Sequence, residues 1–145
     1  MKKISIIYWS GTGNTQKMAE AIAEGARAGG NEINLLSVDK ATKEDVLNSD
    51  AVAFGCPSMG SEELEDTEME PFIGEIEKEN INGKPIALFG SYDWGDGQWM
   101  RDWEDRMKAV GANLIEEGLI IRNTPDDEGL KRCKELGKKL GESKN

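Results

Sequence analysis

Tyr8-Trp9-Ser10-Gly11-Thr12-Gly13-Asn14-Thr15 separates two segments of different periodicity. Ahead of it, Ile4-Ser5-Ile6-Ile7-Tyr8 is a short apolar run that reads as a buried strand. Behind it, Met18, Ala19, Ile22, Ala23 and Ala26 recur at helical spacing. The eight residues therefore join the carboxyl end of a strand to the amino end of a helix. Such a junction presents free backbone N–H groups and the positive end of the helix dipole, which suits a phosphate. Gly11 and Gly13 permit a tight turn, and Ser10, Thr12, Asn14 and Thr15 add short neutral donors. A single helix cap needs one oxygen, and this loop supplies several. No Gly-Lys-Ser/Thr closes it, and Gln16 stands where a third glycine would be, so neither an ATP loop nor a dinucleotide fingerprint is indicated.

Outward from that loop the chain alternates strand and helix. The pattern predicts a strand over 3–8, a helix over 14–28 ended by Gly29-Gly30, a strand from Ile33 to Val38 and a short helix over 42–48. Ala51-Val52-Ala53-Phe54-Gly55 is nearly all apolar, as a strand covered on both faces is. An acidic loop from Cys56 to Thr67 follows, then an amphipathic helix marked by Met69, Phe72, Ile73 and Ile76. Pro85 to Gly90 reads as the fourth strand and Ser91 to Gln98 as a loop rich in Gly, Asp and aromatics. Trp99, Trp103, Met107 and Val110 mark the next helix, with both tryptophans expected in the core. Ala112 to Ile115 and Leu119 to Ile121 read as a fifth strand interrupted near Glu117-Gly118. Thr124-Pro125-Asp126-Asp127-Glu128 starts the last helix, with Thr124 as cap and Pro125 first, and Leu130, Cys133, Leu136 and Leu140 as its buried stripe. Five strands alternating with helices give a doubly wound α/β sandwich with a parallel sheet. Ligands of such sheets sit beyond the carboxyl ends of the strands. In order 2-1-3-4-5 the loops after strands one, three and four converge at one edge, which nominates residues 9–15, 56–62 and 91–98.

Composition narrows the function. A chain of 145 residues is expected to be one domain, 1–145. The two cysteines form no C-x-x-C, and no stretch resembles a targeting peptide or membrane span, so a reduced cytoplasmic setting is expected. The absence of histidine removes Ser-His-Asp and Cys-His nucleophile arrangements and most catalytic zinc sites. Acids outnumber Lys plus Arg by 28 to 18, a net charge of −10, which repels nucleic acid and anionic membrane and favours basic partner surfaces. Cys56 is expected to be a buried small residue rather than a nucleophile, since no base accompanies it. Met59 in the second loop and Trp94 in the third make the two sides of a slot for a flat ring. A phosphate site beside a flat slot suggests a flavin or nucleotide.

Three stretches in order carry a family resemblance: Tyr8 to Thr15, Gly55-Cys56-Pro57-Ser58-Met59-Gly60-Ser61-Glu62-Glu63-Leu64, and Phe89-Gly90-Ser91-Tyr92-Asp93-Trp94-Gly95-Asp96-Gly97. The chain resembles the short-chain flavodoxins over essentially its whole length. The resemblance implies the flavodoxin-like three-layer fold with a five-stranded parallel sheet in order 2-1-3-4-5 and helices on both faces. It also implies non-covalent FMN and low-potential one-electron transfer, cycling mainly between neutral semiquinone and anionic hydroquinone, with no substrate of the protein's own. By position, Ser10, Gly11, Thr12, Gly13, Asn14 and Thr15 bind the phosphate, and Ser58 lies in the second loop beside Met59, which covers the inner ring face. The backbone of Met59, Gly60 and Ser61 meets flavin N5, Glu62 accepts from N3–H, and Trp94 stacks on the outer face. Ser91 and the backbone at Tyr92, Asp93, Trp94 and Gly95 line the ribityl chain and the pyrimidine edge. Asp93 stands where this family commonly has Gly, and strain is expected there if the turn needs positive φ. Implied partners are redox proteins with basic docking surfaces, ferredoxin- and flavodoxin-type reductases and their acceptors, met by a monomer. A small FMN-dependent reductase on the same fold, acting on a quinone or similar acceptor, is the alternative. A phospho-acceptor module is disfavoured, because Tyr8-Trp9 and Cys56-Pro57 occupy the places where such modules need acids.

Overall fold

Strand β1 (Lys3–Tyr8) buries four consecutive residues, Ile4 to Ile7, because it is flanked on both edges and covered on both faces. The computed structural model describes residues 2–143. On one side β1 pairs in parallel with β2 (Glu32–Ser37) and on the other with β3 (Ala51–Gly55). All five residues of β3 are buried. β3 pairs with β4 (Pro85–Tyr92), and β4 carries two short parallel segments along its far edge: β5 (Asn113–Leu114) against Pro85–Ile86 and β6 (Leu119–Arg122) against Phe89–Tyr92. The order is therefore 2-1-3-4-5, with the last position shared by the two halves of an interrupted strand.

Alternation along the strands sorts the core into two layers. Ile7, Val52, Phe54, Ile86 and Leu88 face α2 (Lys43–Leu47), α3 (Met69–Ile76) and α4 (Gln98–Ala109), where Trp99 and Trp103 are buried among Phe54, Phe72 and Met107. Ile4, Ile6, Ala51, Ala53, Ala87 and Phe89 face α1 (Asn14–Ala28) and α5 (Asp127–Glu142), meeting Met18, Ile22, Cys133, Leu136 and Leu140. The two helices of this second layer touch backbone to backbone. A Cβ placed on Gly137 would lie 2.0 Å from the Ile22 carbonyl oxygen, and one on Gly25 would lie 2.0 Å from that of Lys134.

Several boundaries differ from the sequence expectation, three of them at β4, β2 and α5. β4 runs on through Ser91 and Tyr92, because β6 pairs with it up to Tyr92–Arg122. β2 closes at Ser37, and Val38 opens a short 3₁₀ turn, Val38–Lys40. The cap of α5 is Asp126 rather than Thr124: its Oδ1 accepts from the Gly129 N–H at 2.7 Å, while the Thr124 hydroxyl turns to Asn14 Oδ1 at 3.1 Å.

Candidate functional site

The carboxyl ends of β1, β3 and β4 open on a cleft of about 400 Å³, within the range of small-ligand sites. The loop after β1 contributes Trp9, Gly11, Thr12 and Asn14; the loop after β3 contributes Pro57, Ser58 and Met59. Ser91, Tyr92 and Asp93 close the third side, and Asn123, following β6, adds a fourth segment.

The first loop is organised by Ser10, whose Oγ accepts from the Gly13 N–H at 3.1 Å and the Gln16 N–H at 3.3 Å. The Thr15 hydroxyl is buried and pairs with the Ser91 hydroxyl at 2.9 Å, which ties α1 to the end of β4. The N–H groups of Gly11, Thr12, Asn14 and Thr15 meet no acceptor among the described residues. They gather where α1 begins, so the loop offers several aligned donors and a helix dipole to one anion.

The second loop folds back on itself. Met59 and Glu63 exchange backbone hydrogen bonds of 2.9 and 2.8 Å, and the turn between them holds Gly60 at φ 49° and Glu62 at φ 58°. The left-handed backbone costs Glu62 on the order of 1–2 kcal/mol, and its side chain offsets that cost by bonding the third loop and the start of α4. Glu62 Oε1 accepts from the N–H groups of Asp96, Gly97 and Gln98 at 3.2, 3.2 and 3.3 Å. These amides open α4, whose own N-cap is Gly97 and has no side chain to satisfy them. Arg106 of α4 reaches back to α3, meeting Glu77 at 2.7 Å and Glu70 at 2.8 Å. The helices behind the second and third loops are thus tied at both levels.

Glu65, 5% exposed, anchors the far end of the second loop. Its carboxylate accepts from the Thr67 hydroxyl and from the N–H groups of Thr67, Glu68 and Met69. Burial opposes its charge, but these bonds prevail and hold the carboxyl below the usual carboxylate range. The Glu65 N–H in turn meets Cys56 Sγ at 3.3 Å. Burial pushes the Cys56 thiol up to about 12, which leaves it inert as a nucleophile.

In the third loop Trp94 is 58% exposed, a large apolar side chain directly after the cleft-lining Asp93. Asp93 is not among the positive-φ residues: left-handed backbone falls at Gly95 and Gly97 instead, with φ of 91° and 93°. The strain expected at Asp93 is absent, because the chain reverses two residues later.

The sequence matches the family model described as Flavodoxin over residues 6–137. It is 50% identical to a flavodoxin of Clostridium beijerinckii across 94% of this chain and 98% of the relative. The chain belongs to the flavodoxin family. A Megasphaera elsdenii flavodoxin is 42% identical across 92% of this chain and 95% of that protein. The solution structure of the two-electron reduced Megasphaera elsdenii flavodoxin superposes with a TM-score of 0.87 at 41% identity, covering 97% of this chain and 99% of the other.

Flavodoxins are electron-transfer proteins and their cofactor is FMN. The residues present fit it: unpaired amides at the start of α1 suit the phosphate, and the unpartnered indole of Trp94 suits a flat ring. Of the residues expected from this flavodoxin's sequence, Gly11, Thr12, Asn14, Ser58, Met59, Ser91, Tyr92 and Asp93 line the cleft together. Ser10, Gly13 and Thr15 shape the first loop through their own bonds, and Gly60, Ser61, Trp94 and Gly95 are exposed in the two others. Trp9 and Pro57 also line the cleft and fall in the nominated loops without an assigned role, whereas Asn123 lies outside all three loops. Asn123 carried one usable signal: Asn tolerates left-handed backbone, and it takes φ 57° directly after β6.

Proposed function

We propose that this flavodoxin is a low-potential one-electron carrier that holds FMN non-covalently, has no substrate of its own, and passes electrons between redox proteins in the cytoplasm as a monomeric, single-domain protein. The observation that supports this most is the convergence of the unpaired α1 amides, Met59 and Asp93 on the ends of β1, β3 and β4, with the exposed Trp94 next in the chain after Asp93. When bound, FMN supplies the electron-transfer chemistry. The protein binds, orients and sets charge. The loop from Ser10 to Thr15 takes the phosphate on backbone N–H groups and neutral side chains. Met59 and Trp94 flank the ring. Gly60, already at φ 49°, would let the Gly60–Ser61 peptide turn so that its carbonyl accepts a hydrogen bond from an N–H at N5. Glu62 holds α4 with Oε1, which would leave Oε2 to accept from N3–H.

Exposed carboxylates around the cleft disfavour added negative charge on the ring and present the matching surface to basic partners. The test is uptake of FMN by the purified flavin-free chain, followed by potentiometric reduction. Two separated one-electron steps, the second well below the first, are expected. A chain that remains colourless with FMN, or takes both electrons in one step, overturns the reading.

A further inference from the structure

Trp9 stands at the exit of β1, its N–H held by the Gly55 carbonyl at 3.0 Å and its indole on the cleft wall. The ring lies against the phosphate loop: a Cβ placed on Gly11 would meet Trp9 Cη2 at 3.1 Å and Cζ3 at 3.3 Å. The indole N–H, a donor only, is accepted by Glu68 Oε1 at 3.1 Å across 59 positions of sequence. Glu68 is itself fixed, since its own N–H is bound by the buried Glu65 carboxylate at 2.7 Å. We propose that Glu68 is a positioning residue, which sets the angle of the Trp9 ring and through it the phosphate loop that the ring supports. This role rests on the FMN reading above.

The physical case is that both ends of the bond are held before it forms. A bond from an indole N–H to a carboxylate is charge-assisted. With the backbones of Trp9 and Glu68 anchored separately, little further ordering opposes it. It also joins two walls of the cleft: Trp9 opens the loop that leads into α1, whereas Glu68 ends the second loop, immediately before α3. Without it, the Trp9 ring is free to turn away from Gly11, and the loop loses the surface it rests on.

The test compares Glu68→Gln, which keeps an acceptor oxygen and loses the charge, with Glu68→Ala, which loses both. In flavin-free protein the Trp9 indole N–H signal, assigned through Trp9→Phe, should shift and exchange faster with solvent in E68A and stay in place in E68Q. FMN affinity should fall about tenfold in E68A, which loses the bond outright, and fall clearly less in E68Q, which keeps a neutral, weaker bond. Acting as charge alone, loss of a carboxylate beside an anionic ligand tightens binding in both variants, so a gain of affinity in both overturns the proposal. So does an equal loss in both, or an unmoved indole signal in E68A. Melting of the flavin-free variants should remain near wild type, as for surface substitutions generally. Wild-type chain that takes up no FMN sinks the carrier reading and this role with it. That failure is told apart from the others, because in each of them the wild type still binds.

Discussion

Glu65 shows how a residue read as one acid among many becomes a fixed structural part. Its carboxylate gathers donors from Thr67, Glu68 and Met69 at the start of α3. Its folded-state pKa lies below the ordinary 4.5, so it contributes stability that is fully present above the unfolded value and is lost as pH falls through the folded one. Stability of wild type should therefore drop below pH 4.5 more steeply than that of Glu65→Gln, measured by urea titration at several pH values. Parallel slopes for the two proteins refute this account. The roles of Glu65 and Glu62 were hidden in the sequence, where both stand in the same acidic loop. Glu62 was assigned from family position alone, and its hold on α4 spans 34 to 36 residues with no local signal. Trp9 was likewise quoted as part of a motif, yet its bond to Glu68 depends on where α3 begins. By contrast, Met59, Ser58 and the Gly11–Asn14 donors were legible, because a loop between a strand and a helix has one place to point.

Among the elements, the α1–α5 pair is the most constrained. Gly25 and Gly137 let the two backbones meet where any side chain would collide. Gly137→Ala should destabilise the flavin-free protein by roughly 1–3 kcal/mol, the usual cost of overpacking, although alanine is the better helix former. A raised melting temperature in Gly137→Ala shows that the helices separate without cost. Strand and helix order was readable from periodicity throughout, and the break at Glu117-Gly118 falls between β5 and β6 as expected. The end of β4 and the cap of α5 were not, because each is settled by a partner distant in sequence: Arg122 extends the ladder to Tyr92, and Asn14 draws Thr124 away.

On the scale of the whole molecule, the net charge of −10 is unevenly employed near the cleft. Glu62 and Glu65 are committed to backbone amides, and Asp96 pairs with Arg101 at 3.0 Å. Glu63, Asp66 and Asp93 are exposed and have no ion-pair partner among the described residues. One such carboxylate about 10 Å from an added electron costs roughly 1.7 kcal/mol at an effective dielectric of 20, on the order of 70 mV. Salt screens this, so the second one-electron potential should rise by tens of millivolts between about 0.01 and 1 M salt. A potential that does not respond shows that charge does not set it. The contact of α1 with α5 bears also on when the molecule becomes competent during synthesis. The phosphate loop is translated well before α5, the helix that covers its supporting α1. A nascent chain stalled on the ribosome before residue 127 should therefore retain no FMN, and should gain it once α5 has emerged and packed on α1.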